Sequence, residues 1–130
     1  MRRLIVDGMN VIGSRPDGWW RDRDAAVRQL VGRLHRLAER TGDEVTVVFD
    51  GRPPPGLAEG AHGPVAVRYA RRGGANAADD RIAEIVGADP EPETLEVVTA
   101  DRDLRARVTR LGASVCGPRT LLETLDSSRD

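Results

Sequence analysis

The sequence predicts an α/β fold of three layers, in which a central, mostly parallel sheet of about four or five strands carries helices on both faces. Three observations support this prediction. Short apolar runs alternate along the chain with segments of helical periodicity. The apolar runs, such as residues 45–49, are continuous, which is typical of strands covered on both faces. The 130 residues are the length of a single domain.

The first half of the chain contains two predicted strands and one predicted helix. Residues 4–6 form an apolar run that ends in a turn, and residues 11–22 are predicted to be a loop. Apolar residues spaced by three and four positions predict an amphipathic helix over 24–41. Residues 45–49 predict a second strand, and the glycines and prolines of 51–64 predict a long loop.

The second half continues the alternation. Residues 65–69 alternate between apolar and other side chains and predict a more exposed strand. Helical periodicity then begins at Ala78 and stops near Gly87. The remaining predicted elements are a strand over 95–98, a helix ending at Gly112, a strand over 113–116 and a helix opened by Pro118. We expect one domain over 1–126 and a frayed tail over 127–130.

Composition excludes several classes of protein. The chain has 20 arginines and no lysine, so it lacks the lysine of a Walker A loop, of Schiff-base enzymes and of phospho-acceptor receiver domains. The single cysteine, Cys116, excludes disulfide frameworks and thiolate zinc sites. With no apolar run of about 18 residues and no signal peptide, we expect a cytoplasmic protein without a membrane partner.

Acidic side chains follow three of the predicted strands. Asp7, Asp50 and Asp101 lie where these strands end, and the carboxyl ends of parallel strands meet at one edge of a sheet. Asp79 and Asp80 begin a helix that can face the same edge. Each residue taken singly also suits a helix cap or a turn. Converging carboxylates, however, repel one another unless a cation compensates, and oxygen-only ligands indicate Mg²⁺ or Mn²⁺.

Four segments resemble one known family. They are D-G-M-N-V at 7–11, V-V-F-D-G at 47–51, A-D-D-R-I at 78–82 and T-A-D-R-D-L at 99–104. In order and spacing they are similar to the NYN domain, in its YacP-like branch of the PIN-like nucleases, from about Leu4 to about Leu125. The resemblance implies a Rossmann-like PIN/NYN fold and an endoribonuclease that hydrolyses RNA through water activated by one or two Mg²⁺ or Mn²⁺ ions.

The resemblance also implies roles for single residues. Asp7, Asp79 and Asp101 match the core acids that hold the metal. Asn10 matches the family asparagine, and Asp80 and Asp103 match accessory acids, so these six are the expected catalytic residues. Thr99 and Asp50 are expected to position the metal ligands without contacting the metal themselves. The pattern leaves open whether Asp79 or Asp80 contacts the metal.

Basic and aromatic residues supply candidate contacts to RNA. Arg68, Arg71 and Arg72 precede the acidic helix and suit phosphate contacts, although they also suit a solvated loop. Trp19, Trp20 and Arg21 suit stacking on single-stranded bases or, alternatively, a hydrophobic lid. The expected partner is RNA, single-stranded or structured, free or on a ribosome. The sequence does not fix the oligomeric state.

Two other functions compete with the nuclease. The first is a catalytically inactive RNA- or ribosome-binding module on the same fold. The second is a haloacid-dehalogenase-type phosphatase, which needs an Asp-x-Asp after the first strand and a later Lys. The first strand exits here as Asp7-Gly8-Met9 and the chain has no Lys, so the sequence argues against the phosphatase.

Overall fold

The computed structural model of the chain describes residues 2–70 and 76–127. Arg71 and Arg72, two of the predicted RNA contacts, lie outside the described residues. The described part forms a mixed α/β domain around one sheet of six strands in the order β3-β4-β2-β1-β5-β6. The strands are β1 (Arg3–Asp7), β2 (Glu44–Phe49), β3 (Gly60–His62), β4 (Val65–Tyr69), β5 (Leu95–Val98) and β6 (Ser114–Cys116). The helices are α1 (Gly8–Gly13), α2 (Arg23–Thr41), α3 (Ala77–Ala88), α4 (Arg102–Arg110) and α5 (Pro118–Ser127). None of these described helices is long and apolar enough to cross a membrane.

The sheet has a hydrophobic core on each face, as the predicted three-layer fold requires. Alternate residues of each strand point to opposite faces. In β1, Leu4 and Val6 join one core with α2 and α5, whereas Ile5 joins the other core with α3 and α4. Phe49 of β2 and Leu34 of α2 are fully buried in the first core, and Ile82 of α3 is fully buried in the second.

The long helix α2 shows why several sequence boundaries were predicted correctly. The Asp22 carboxylate accepts a hydrogen bond from the Ala25 backbone N–H at 3.1 Å and so caps the first turn. Gly42 adopts a φ of +75°, and its N–H donates to the Ala38 carbonyl at 2.8 Å. Both ends therefore depend on local residues that the sequence displays.

The prediction of a loop over 11–22 was wrong at both ends. Helix α1 begins directly after β1, contains Asn10 and extends over residues 11–13, and Trp19–Arg21 form a 3₁₀ turn. The abrupt strand-to-helix turn is possible because Gly8 lies against the Phe49 ring, where a Cβ atom would be only 2.4 Å from two ring carbons. This close approach depends on tertiary packing and not on local pattern.

The prediction of an irregular segment over 51–64 missed a strand. Gly60–His62 pair antiparallel with β4, which makes six strands and places β3 instead of β4 at the sheet edge. Three residues without apolar alternation carry no strand signal. The preceding loop is anchored by the Tyr69 hydroxyl, which donates to the Leu57 carbonyl at 2.6 Å.

The final helix continues one residue beyond its expected end. Ser127, expected to begin a frayed tail, closes α5, and its hydroxyl donates to the carbonyls of Glu123 and Thr124 at 3.0 and 3.1 Å.

The strand order positions the candidate site. Strand β1 lies at the centre and pairs in parallel with β2 on one side and β5 on the other. The chain therefore leaves β1 toward β2 and later returns to its opposite side. In an open α/β sheet, the crevice at such a reversal, outside the carboxyl ends of the strands, is where ligands bind.

Candidate active site

Asp7 is the most buried acid at this edge of the sheet. It is the last residue of β1 and is 5% exposed. Its carboxylate accepts a hydrogen bond from the Thr99 hydroxyl at 2.8 Å. Burial raises the pKa of Asp7 to about 6; the Thr99 bond opposes the rise, and the charges of Asp79, Asp101 and Asp50 add to it. The negative charge of Asp7 is thus unfavourable in the metal-free protein.

Thr99 and Asn10 fix the loop that follows β5. The Thr99 oxygen accepts a hydrogen bond from the Asp101 N–H at 3.1 Å while its hydroxyl donates to Asp7. The Asn10 side-chain oxygen accepts from the Ala100 N–H at 2.9 Å. The fully buried Thr99 therefore links two of the predicted metal ligands, and Asn10 ties the same loop to α1.

Asp101, one of the candidate site residues, serves as a helix cap. Its carboxylate accepts from the Leu104 N–H at 2.9 Å and so caps α4. One oxygen is engaged by the cap, and the charge of the group still acts on both Asp7 and Asp79. The helix cap that the sequence offered as an alternative is therefore present, and it leaves the charge of Asp101 at this edge of the sheet.

Asp79 and Asp80 face different neighbours, although both lie in the first turn of α3. Burial raises the pKa of the half-buried Asp79, and the charge of Asp101 adds to it. Asp80 is exposed and its carboxylate accepts from the Arg107 guanidinium at 2.8 Å. Asp79 is therefore the acid that interacts more closely with Asp101, and Asp80 is held by α4.

Asp50 and Asp103 lie at the periphery. Asp50 is exposed, and its carboxylate is 3.4 Å from the Arg23 guanidinium, which also donates to the Asp50 carbonyl. Asp103 is exposed in the first turn of α4, where its charge contributes to the raised pKa of Asp79. Both acids belong to the same edge but are more solvated than Asp7.

The candidate ligands are carboxylate oxygens, which are the donor atoms that hard divalent cations prefer. Within residues 2–70 and 76–127, no three His, Cys, Asp or Glu side chains stand close enough together to form a complete metal site. The acids instead use Thr99, the start of α4 and Arg107 as partners. Burial is the main cause of the raised pKa values of Asp7 and Asp79, and repulsion between the acids adds to it; a bound cation would offset both effects.

The predicted RNA contacts within the described residues differ in their exposure and in their surroundings. Trp20 is 58% exposed, and the Arg21 guanidinium carbon lies 6.0 Å from the centre of its ring. Trp19 is half-buried and lines a cavity of about 150 Å³ with Leu30 and Leu122, so it packs onto the domain. Arg68 lies within β4 and lines a groove on the sheet face that α3 covers in part.

Sequence reasoning missed three arginines near this edge. Arg23 and Arg107 bind Asp50 and Asp80, respectively. Arg81 is 7% exposed within α3. The burial of Arg81 could have been predicted, because the residue lies three positions after Ala78 and four before Ile85, on the apolar face of that helix. The partners of Arg23 and Arg107 come from distant segments and left no signal in the sequence.

Comparison with known proteins gives one family and a set of relatives. The YacP-like NYN domain family matches residues 4–130. UPF0178 proteins are similar: one from Xanthomonas oryzae pv. oryzae is 38% identical over 106 residues, which cover 81% of this chain and 59% of the relative. Another from Nitrobacter winogradskyi is 39% identical over 97 residues, which cover 73% of this chain and 54% of the relative. The chain thus spans less than two thirds of the length of these relatives.

Solved structures show the same fold. The crystal structure of Rae1 (YacP) from Bacillus subtilis superposes with a TM-score of 0.78 at 26% identity, covering 98% of this chain and 75% of that one. A mutant form of the same protein gives the same TM-score at 24% identity. The PIN-like fold is therefore the one expected from the sequence.

Proposed function

Because this chain belongs to the YacP-like NYN domain family, we propose that it is an endoribonuclease that hydrolyses RNA phosphodiester bonds with the help of Mg²⁺ or Mn²⁺. The observation that carries the proposal is the set of acids at the carboxyl edge of the sheet. Asp7, Asp79 and Asp101 interact electrostatically, and Asp7 is kept largely buried with a pKa of about 6. Such a set is unfavourable unless it binds a cation.

Each residue of the edge has a proposed role. Asp7, Asp79 and Asp101 would hold one or two ions, and Thr99 and Asn10 would keep Asp7 and the Asp101 loop in position through the hydrogen bonds described above. When bound, the ion would neutralise charge that develops on the phosphate and lower the pKa of an attacking water.

The outer acids support this arrangement from solvent-facing positions. Asp80 and Asp103 flank Asp79, and Asp50 adds negative charge at the end of β2. We propose that they raise the attraction of the edge for divalent cations without contacting them directly. Arg107 limits the repulsion by pairing with Asp80.

The proposed substrate is RNA, which the arginines and tryptophans would contact. Leaving aside the acids at 7, 79, 80, 101 and 103, the rest of the chain has a net positive charge. The exposed Trp20 beside Arg21 suits stacking on an unpaired base. Arg68, and Arg71 and Arg72 outside the described residues, suit phosphate contacts. We assign these functions to a single domain over 1–126, acting on RNA that is free or bound to a ribosome.

A cleavage assay tests the proposal. Total RNA is incubated with the protein and Mn²⁺ or Mg²⁺, and the new 5′ ends are sequenced. We expect discrete cuts that disappear in chelator and in Asp7→Asn, and that persist in Glu93→Gln, an exposed acid in the turn before β5 at the opposite edge of the sheet. If wild-type protein binds RNA but metal has no effect on RNA integrity, the chain is the inactive RNA-binding module.

A further inference from the structure

Helix α3 leaves a groove of about 460 Å³ on its face of the sheet. Strands β1, β2 and β4 form the floor of the groove, and α3 forms one wall. The residues of the groove that matter here are Ile5, Thr46 and Arg68 on the floor and Arg81, Glu84 and Ile85 on the wall. A volume of this size is in the range of small-ligand sites, roughly 300–1,000 Å³.

Arg81 is a buried cation with incomplete compensation. Its side chain is 8% exposed, and Nη1 has no hydrogen-bond partner. Nη2 is 3.5 Å from the Glu59 carboxylate, whose same oxygen accepts a hydrogen bond from the Tyr69 N–H at 3.0 Å. Buried polar groups are almost always hydrogen-bonded, so the orphaned Nη1 is a donor that a bound acceptor could satisfy.

Arg68 adds a second guanidinium to the same end of the groove. It is half-buried, and no hydrogen bond or ion pair joins its guanidinium to another described residue. Two of the acids that line the groove are already engaged, because Glu44 and Asp89 both bind Arg3, with distances of 3.1 and 2.6 Å. Glu84, the third acid that lines the groove, is exposed on the wall. At this end of the groove, Arg68 therefore has no carboxylate partner among the described residues, and Arg81 is left with an unpaired Nη1.

The sheet register places this basic end beside the acidic edge. Asp7 pairs with Val48, and Val48 pairs with Arg68, so the three residues lie in one row across β1, β2 and β4. Residues in register point to the same face, here the α3 face on which Val48 is buried. Two strand spacings separate Asp7 from Arg68, which is about 10 Å between Cα atoms.

We propose that Arg68 and Arg81 form a binding site for a phosphate group, separate from the carboxylates and next to them. Guanidinium groups bind phosphate oxygens through paired, charge-assisted hydrogen bonds. The enclosed guanidinium of Arg81 would turn toward the groove and give Nη1 its acceptor. The phosphate is either a backbone group of an RNA strand that crosses β2 from Asp7, or that of a free phosphate or nucleotide. The RNA source rests on the proposed function, whereas the free source does not.

Nuclear magnetic resonance of the metal-free protein tests the site. The ¹⁵N-labelled chain is titrated in chelator with inorganic phosphate, with uridine monophosphate and with a short oligouridine that lacks terminal phosphates. We expect saturable shifts of the Arg81 Nε–H signal and of the Thr46 and Ile85 amides. Arg68→Gln should weaken binding by about tenfold or more, the loss expected for a charge-assisted hydrogen bond. Arg119→Gln, an exposed arginine of α5, should leave it unchanged.

The outcomes distinguish the two sources of phosphate, and they distinguish the phosphate site from the proposed nuclease activity. Shifts with the oligouridine alone assign the site to the RNA strand, and shifts with inorganic phosphate or the mononucleotide assign it to a free ligand. The site is overturned if no probe gives saturable shifts, or if Arg68→Gln binds as wild type does. Arg81→Gln should also weaken binding. If that variant does not fold, Arg81→Lys keeps the charge but removes the paired guanidinium donors, and it should weaken binding as well. Asp7→Asn should keep the groove shifts, so a failed cleavage assay with intact shifts refutes the nuclease and not this site.

Discussion

At the scale of single residues, the negative charge of Asp7 at the candidate site lowers the stability of the folded, metal-free protein. The residue ends the central strand, where burial raises its pKa to about 6, and three further carboxylates increase the rise. Thr99 offsets part of this effect with one hydrogen bond. Because the ionised form of Asp7 is unfavourable in the metal-free protein, a bound cation should stabilise this carboxylate strongly.

Asp7→Asn should stabilise the metal-free protein. The folded pKa of about 6 lies above the usual 3.8, so the folded state binds more protons between these values and stability falls as pH rises through them. Above pH 6 the ionised group costs up to about 3 kcal/mol, which Asn removes. Urea unfolding in chelator should show a gain of about 1–3 kcal/mol at pH 8 and little gain near pH 3.5. A gain of equal size at both pH values would contradict the burial of the charge.

Two substitutions of Asp101 distinguish its role as a helix cap from its proposed role in RNA cleavage. Asn keeps the side-chain oxygen that caps α4, whereas Ala removes it. We expect Asp101→Asn to lose RNA cleavage with nearly unchanged stability, and Asp101→Ala to lose cleavage and about 1 kcal/mol of unfolding free energy. Thermal unfolding beside the cleavage assay measures both. If Asp101→Asn cleaves as wild type does, Asp101 is a cap only.

At the scale of elements, the turn from β1 into α1 brings Asp7 and Asn10 together. A helix that begins immediately after a strand must pass close to the neighbouring strand, here at Phe49 of β2. Gly8 permits this approach because it has no Cβ atom. The Asp7-Gly8 pair therefore combines a candidate metal ligand with the residue that permits the close packing.

Gly8→Ala should destabilise the protein by about 1–3 kcal/mol, or more if the Phe49 ring cannot move. The new Cβ atom would lie 2.4 Å from the ring and 3.1 Å from the Val48 carbonyl oxygen. Gly13→Ala in the same helix is the matched control, because no atom lies within 4 Å of its added Cβ. Urea unfolding compares the two variants. Equal stability of both would show that the sheet and α1 are not packed as described.

At the scale of the whole molecule, the sheet collects charges from distant parts of the chain into two adjacent zones. The carboxyl ends of β1 and β5 and the start of α3 supply the acids, and the floor and wall of the groove supply Arg68 and Arg81. Both zones lie on the α3 side of the sheet. We expect a polyanion bound there to meet the candidate metal site and the two arginines of the groove side by side.

Divalent metal should stabilise the folded molecule in a pH-dependent manner. Mn²⁺ or Mg²⁺ at about 100 times its dissociation constant adds about 2.7 kcal/mol if it binds only the folded state. Protons compete with metal for Asp7, whose pKa is about 6, so the increase in Tm should be smaller at pH 5 than at pH 8. Differential scanning calorimetry measures this increase, with Glu93→Gln as the control. An identical increase in Asp7→Asn would place the metal elsewhere.

Much of the fold was predictable because its signals are local. The apolar runs of β1, β2 and β5 are visible in the sequence, and the capping residues of α2 mark its ends. Helix α1 and strand β3 were missed because their formation depends on neighbours far along the chain: Phe49 for the turn into α1, and β4 for the pairing of β3. Local propensity does not report such contacts.

The apolar pattern and the chain order were enough to predict the class of the fold and the edge at which the acids lie, and the four motif segments were enough to indicate the family. The neighbour that each acid faces depends instead on tertiary packing. Asp79 and Asp80 are adjacent in sequence, but successive residues of a helix point in different directions, and Arg107 from α4 binds one of them. The same holds for Arg81, whose burial and unpaired nitrogen arise from the packing of α3 across three strands.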